Sequence, residues 1–178
     1  MKAPSHIETG RLVLSVPGAT DAEAIFSRYA SDSEVTHYLG WPRHETMADT
    51  EGFLAFSNAQ WQQNEVGPYL IRRQTDGQLL GGTGLGRESG GLASTGYVLA
   101  RDAWGAGYAT EVLRAMVDVA GGIDVVRIYA LCHPDHRASW RVLEKCGFRR
   151  DVESKRPTEF PNLARGVLQD ALYYSRAL

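Results

Sequence analysis

The segment Tyr97–Leu113, "YVLARDAWGAGYATEVL", runs from a strand-like stretch through two glycines into an amphipathic helix. Ala109, Val112, Leu113, Met116, Val117 and Ala120 share one face of that helix, and Gly121-Gly122 closes it. A helix with one such stripe must bury it against a sheet or another helix, so the segment predicts a layered fold with strands on one side. The first amides of a helix lack intrahelical partners and carry the positive end of its dipole. Gly105 and Gly107 remove side chains that would hold a ligand away from those amides. The combination suits an anion, phosphate or pyrophosphate above all. The same glycines also suit a tight turn packed against the sheet, and the two readings divide evenly on this segment alone.

Other phosphate signatures fit less well. "GAGYAT" places Thr110 where the dinucleotide fingerprint has its third glycine, and the preceding strand reads as antiparallel. There is no G-K-[ST] sequence, and "GGTGLG" (Gly81–Gly86) precedes a hairpin and reads as a bulged strand.

The rest of the chain supplies the sheet. Arg11–Ser15 alternates apolar and polar residues as a first strand. Thr20–Glu23 and Ser31–Glu34 carry capping-box patterns that open two helices, the second stopped by Gly40-Trp-Pro42. A longer helix is expected over Met47–Gln63, with Met47, Leu54 and Trp61 at heptad spacing. Pro68–Arg73, Leu79–Gly86 and Ala93–Leu99, separated by Asp76-Gly77 and Ser89-Gly90-Gly91, read as an antiparallel meander. Val125–Leu131 reads as a buried strand and Arg137–Lys145 as a helix ended by Gly147. Phe148–Val152 and Val167–Ser175 close the sheet, with "ESKRPTEFPNLAR" expected as a loop between them. The expected class is α/β (α+β) in one domain spanning residues 1–178.

Composition narrows the function classes. The 178 residues include 43% hydrophobic and 22% charged, as in an ordinary globular domain. Nineteen Lys and Arg against 21 Asp and Glu give a net charge of -2, which argues against nucleic acid as a partner. No run of 18 apolar residues predicts a membrane span, and "MKAPSHIETGRLVLSV" has no signal-peptide core. Cys132 and Cys146 read as reduced, buried thiols, which places the chain in the cytoplasm. Cys132, His133 and His136 lack companion ligands, so no metal is expected.

The second informative segment is "CHPDHRASWRVLEKCGF" (Cys132–Phe148), which sets Asp135, His136 and Ser139 beside another helix start. Together with "ETGRLVLS", "GYVLARDAWGAGYATEVL" and "GVLQDALYYS", it resembles the GNAT superfamily of N-acetyltransferases, and within it the RimJ/RimL type that acetylates protein N-termini and other amines. The resemblance spans nearly the whole chain. It implies a mixed, mostly antiparallel, splayed sheet of about seven strands flanked by helices, with acetyl-CoA as co-substrate and an amine as acceptor. It is compatible with a homodimer.

Residue by residue, the resemblance implies that backbone groups of Val98 and Leu99 pair with the pantetheine arm. Amides across Gly105, Ala106, Gly107, Tyr108, Ala109 and Thr110, after Trp104, would hold the pyrophosphate. His136 stands where many relatives have Asn on the pantetheine side, and Ser94 where relatives often carry a strand glutamate. Ser139 would serve as general acid at the sulfur, with Tyr173 and Tyr174 as second candidates. Glu159 is the first carboxylate to consider as base, with a solvated loop charge as its plainer role. Glu45 and His44 either line the acceptor pocket or begin the next helix. The resemblance admits a catalyst of amine acetylation, or a non-catalytic acyl-CoA-binding module on the same fold.

Overall fold

The computed structural model describes residues 1–178, with Lys155 described by its backbone alone. Its elements in chain order are β1 (His6–Glu8), β2 (Leu12–Ser15), α1 (Ala22–Ile25), α2 (Ser33–Thr36), α3 (Met47–Asn64), β3 (Pro68–Arg73), β4 (Leu79–Arg87), β5 (Leu92–Leu99), α4 (Tyr108–Gly121), β6 (Arg127–Cys132), α5 (Arg137–Lys145), β7 (Arg149–Glu159) and β8 (Leu168–Ala177). The strands form one sheet of eight, in the order β1-β2-β3-β4-β5-β6-β8-β7. β5 and β6 pair in parallel, while the other neighbours pair antiparallel. A parallel pair needs a crossover, and α4 supplies it.

The α4 stripe does what its sequence requires. Val112, Leu113, Met116 and Ala120 are fully buried, in one core with Leu12, Leu14, Ile71 and Ile128 of the sheet. A smaller core, built around Ile25, Tyr29, Leu70 and Ala100, lies under α1 and α2. α1 continues into a wider π-type turn over Phe26–Ala30, closed by Ser31 N donating to Phe26 O at 3.2 Å.

Four expectations need correction. The sheet has eight strands rather than about seven, because His6–Glu8 pairs with β2 ahead of the expected first strand. The segment expected as a closing loop is strand through Glu159. Its proline and charges read as a breaker, but β7 is the sheet's edge, where Pro157 sits opposite Asp170 without interrupting a central ladder. The register of β7 shifts between Asp151 and Arg156, a bulge stabilised by the Asp151 carboxylate accepting from Glu153 N and Ser154 N. The caps of the early helices also move: Asp32 caps α2, accepting from Glu34 N and Val35 N, and Asp21 accepts from Gly18 N. In α3 the buried positions are Thr50, Ser57 and Trp61, and Met47 points outward.

Candidate functional site

The sheet divides between β5 and β6. Their register runs Leu92–Arg127, Ala93–Ile128 and Ser94–Tyr129, and then the strands separate. Backbone groups alternate along a strand, so the residues facing the opening follow from those facing β4. Gly96 O accepts from Thr83 Oγ1, and Ala100 N donates to Leu80 O. The Val98 carbonyl lies 2.0 Å from where a Cβ on Gly81 would stand, which explains the glycine there. Residues 96, 98 and 100 therefore address β4, and the backbones of Tyr97 and Leu99 address the opening. The expectation for Val98 is corrected accordingly, although its side chain still lines the cleft. The Leu99 carbonyl is itself occupied, accepting from Trp104 Nε1 at 2.7 Å.

At the end of β5 the chain turns through Arg101–Ala103 and Trp104 into the two glycines. Gly105 and Gly107 have φ of 75° and 81°, the left-handed region that L side chains avoid. Glu111 N donates to Gly107 O at 3.2 Å, so the amides of Tyr108, Ala109 and Thr110 precede the helical ladder. Arg11 holds this turn from outside. Its Nη1 donates to Ala106 O (2.9 Å), its guanidinium lies 4.6 Å from the centre of the Tyr108 ring, and its Nε donates to Glu111 Oε2 (2.7 Å). Glu111 Oε1 also accepts from Thr9 Oγ1 and Arg11 N. Partial burial of Glu111 acts to raise its pKa, but these hydrogen bonds prevail and hold the carboxyl below the usual range. The "ETGR" stretch is thus a clamp on the start of α4.

Across the opening lies α5, with His136 as its N-cap residue and Ser139 in its first turn. Ser139 is not a side-chain cap. Its N–H donates to His136 O, and among the described residues its hydroxyl has one partner, the Tyr97 hydroxyl at 3.2 Å. Tyr97 also donates to the Ser139 carbonyl at 3.0 Å, and burial pushes its pKa well above the ordinary value. The Tyr38 ring stacks on both His133 and His136, at 5.0 Å from each. Asp135 N lies 3.2 Å from His133 Nδ1, and His133 Nε2 lies 3.3 Å from Gln169 Oε1. Burial, then the neighbouring His133 and His37, hold the His136 pKa below its ordinary 6.5.

The opening widens into a cleft of about 1460 Å³ bounded by Tyr97, Ser139 and His136 on one side and by Trp41, His44, Phe53 and Glu159 on the other. Glu159 ends β7 and its Oε1 accepts from Gly166 N at 2.8 Å, so it is a cleft carboxylate rather than a free loop charge. His44 and Glu45 both line the cleft ahead of α3, which begins with Thr46 N and Oγ1 donating to Asp49 Oδ2.

Residues 11–149 match the acetyltransferase (GNAT) domain family. The chain belongs to the GNAT acetyltransferase family. It is 30% identical over 148 residues to the uncharacterized N-acetyltransferase YoaA of Bacillus subtilis (strain 168), covering 82% of this chain and 83% of that one. Its fold is similar to RimL, a ribosomal L7/L12 α-N-protein acetyltransferase solved with coenzyme A (TM-score 0.81, 20% identity, 97% and 98% covered). It is also similar to the microcin C7 self-immunity acetyltransferase MccE solved with acetyl-CoA and AMP (TM-score 0.84, 21% identity, 98% and 97% covered).

Within this acetyltransferase the remaining site expectations divide. Tyr173 is buried, stacked on Tyr129 at 5.1 Å with Arg156 over its ring, and it does not line the cleft. Tyr174 donates to Glu144 Oε1 at 3.0 Å, and burial and that carboxylate push its pKa up to about 12. Neither tyrosine is brought together with Ser139. Cys132 and Cys146 are free and buried, and burial pushes Cys132 up to about 12. Among the described residues no group of three or more His, Cys, Asp or Glu could hold a metal ion. No helix of the described residues is long and apolar enough to cross a membrane. Sequence reasoning missed Tyr97 and the Arg11–Glu111 clamp. The parity of β5 would have pointed Tyr97 at the opening once the β4 register was known.

Proposed function

We propose that this GNAT protein transfers the acetyl group of acetyl-CoA to a primary amine in a ternary complex. The observation that carries the reading is the β5–β6 split, which opens beyond the Ser94–Tyr129 pair, with the two-glycine start of α4 following β5 and the Ser139 hydroxyl lining the cleft. In this reading the pyrophosphate rests on the amides of Gly105–Thr110, and an extended, amide-bearing pantetheine arm meets the backbones of Tyr97 and Leu99. Solved structures of the same fold carry coenzyme A or acetyl-CoA, which supports that assignment.

The chemistry needs few groups. A neutral amine attacks the thioester carbonyl, the C–S bond breaks, and the amine loses a proton as the sulfur leaves. An α-amino group, with a pKa near ~8, is partly neutral at pH 7, so a weak base suffices. Glu159, which lines the cleft, would take that proton. A β5 amide facing the split would stabilise the oxyanion. Ser139, its hydroxyl steadied by Tyr97, would donate to the departing sulfur. The chain acts as one domain of this kind in a reducing compartment, and a homodimer would not alter these roles.

Acetyl-CoA is incubated with a panel of amines and N-terminal peptides, and free coenzyme A is followed over many turnovers. Steady, amine-dependent release supports the reading. Tight coenzyme A binding without turnover against any amine overturns it in favour of an acyl-CoA-binding module.

A further inference from the structure

The part of the cleft lined by Trp41, His44 and Phe53 is aromatic, with hydrogen bonds anchoring Trp41 and His44. The His44 ring lies 5.3 Å from Trp41 and 6.4 Å from Phe53, centre to centre. Its Nδ1 is 2.9 Å from Oγ1 of fully buried Thr50, and its backbone N donates to Ala30 O. Burial lowers the His44 pKa against the pull of Asp49, which favours an uncharged ring. The Trp41 carbonyl accepts from Asn162 Nδ2 at 2.9 Å. Phe56, one turn beyond Phe53, is 54% exposed where it lines the cleft.

Two further observations concern what enters. Gly52 lies inside α3, one turn before Phe56, where glycine weakens a helix without a compensating contact. Gly52 is exposed and lines the cleft, and a Cβ there would meet nothing within 4 Å, so packing does not require the glycine and the space beside it is open. The carboxylates of the cleft are already engaged. Glu45 pairs with Arg165 at 3.1 Å, Asp49 accepts from Thr46, and Glu159 accepts from Gly166 N.

We infer that the acceptor is a small primary monoamine carrying a flat aromatic group, which lies against Trp41, Phe53 and Phe56 where the cleft is open beside Gly52. The inference rests on the acetyl-transfer reading and names the acceptor class for the same cleft. The ring stacks on fixed aromatic faces, as such pairs prefer, and the amine extends toward the thioester.

Phenethylamine and tryptamine are compared with propylamine, spermidine and a Ser-initiated peptide, by kcat/KM for coenzyme A release. The aromatic monoamines are expected to exceed the others by about tenfold or more, the scale on which an apolar pocket discriminates. Gly52→Leu puts a branched side chain into that open part of the cleft and is a better helix former. It should raise the KM for the aromatic amines by about tenfold while coenzyme A affinity and melting temperature are kept. Phe56→Ala should erode the same preference. Equal or better use of the aliphatic amines or the peptide overturns the inference and leaves acetyl transfer standing, as does Gly52→Leu without effect on any acceptor. Failure to acetylate every amine overturns the transfer reading itself, and this inference with it.

Discussion

The Tyr97 hydroxyl reaches across the split in the sheet to the first turn of α5, donating to the Ser139 carbonyl at 3.0 Å and lying 3.2 Å from Ser139 Oγ. The bond ties β5 to α5 across the split, and the Ser139 hydroxyl has no capping duty. Ser139→Ala should therefore lower kcat with melting temperature nearly unchanged, because no cap worth ~0.5–2 kcal/mol is lost. The drop should sit near the lower end of the ~10²–10⁴-fold range for general acids, since thiolate leaves readily. Tyr97→Phe should lower kcat by a smaller factor and leave the KM for acetyl-CoA within about twofold. Wild-type kcat in Ser139→Ala would remove the serine from the chemistry.

The two glycines before α4 can be separated by substitution. A Cβ at Gly105 would meet nothing within 4 Å, whereas one at Gly107 would point at Arg11 Nη2, 3.6 Å away. Both positions have positive φ, which Asn tolerates better than other residues. Gly105→Asn should weaken coenzyme A binding by about tenfold or more with a modest loss of stability. Gly107→Asn, directed at the clamp, should affect stability more than affinity. Calorimetry with coenzyme A and a thermal melt on each variant distinguish them, and unchanged affinity in Gly105→Asn rejects the pyrophosphate site.

Removing the charge from the clamp should be felt in both fold and ligand. Glu111 is 17% exposed and accepts three hydrogen bonds from Thr9 and Arg11. Glu111→Gln replaces charge-assisted bonds worth about 1–3 kcal/mol. Denaturant unfolding should show a loss of that order, with weaker coenzyme A binding because Arg11 no longer fixes Ala106. A variant that unfolds like the wild type would show the clamp to be dispensable.

His136 and His44 are both held below the ordinary 6.5 in the fold. Above that pH both are neutral in the folded and unfolded chain. As the pH falls below about 6.5 the unfolded chain takes up protons first, so stability declines until the folded-state values are passed. Melting temperatures across this window should fall toward acid, and His136→Asn should make the decline shallower. An identical slope in the variant would mean that His136 is not part of the effect.

Glu159→Gln keeps an acceptor for Gly166 N while removing a carboxylate from the cleft. Turnover should fall most at low pH, where little of the amine is neutral, and recover as the pH rises toward the amine's own pKa. A pH profile parallel to the wild type would dismiss Glu159 as base.

How much of this was legible beforehand follows the range of the forces involved. The α4 stripe, the meander and the two-glycine turn are local patterns, and each was readable from its own residues. β7 was not, because Pro157 and its charged neighbours resemble a loop until the strand is known to lie at an edge. Tyr97 and Ser139 are 42 residues apart. Their meeting depends on β5 register and on where the sheet parts, neither of which a sequence window contains. The resemblance pointed to the β5–α4 segment, but it could not assign backbone parity, which turns the backbones of Tyr97 and Leu99, not that of Val98, toward the opening.

The parting of β5 from β6 also bears on how this chain avoids its own kind. Unpaired strand borders invite other chains to add to them, and proteins usually blunt such borders with bulges, charges or prolines. The outer border at β7 has all three, in Pro157, the shift between Asp151 and Arg156, and the arginines at 149, 150 and 156. The borders of β5 and β6 have no such guard, but they face each other inside the sheet rather than outward. A foreign strand would have to thread between the two halves to reach them, so the split stays open without becoming a seed for aggregation.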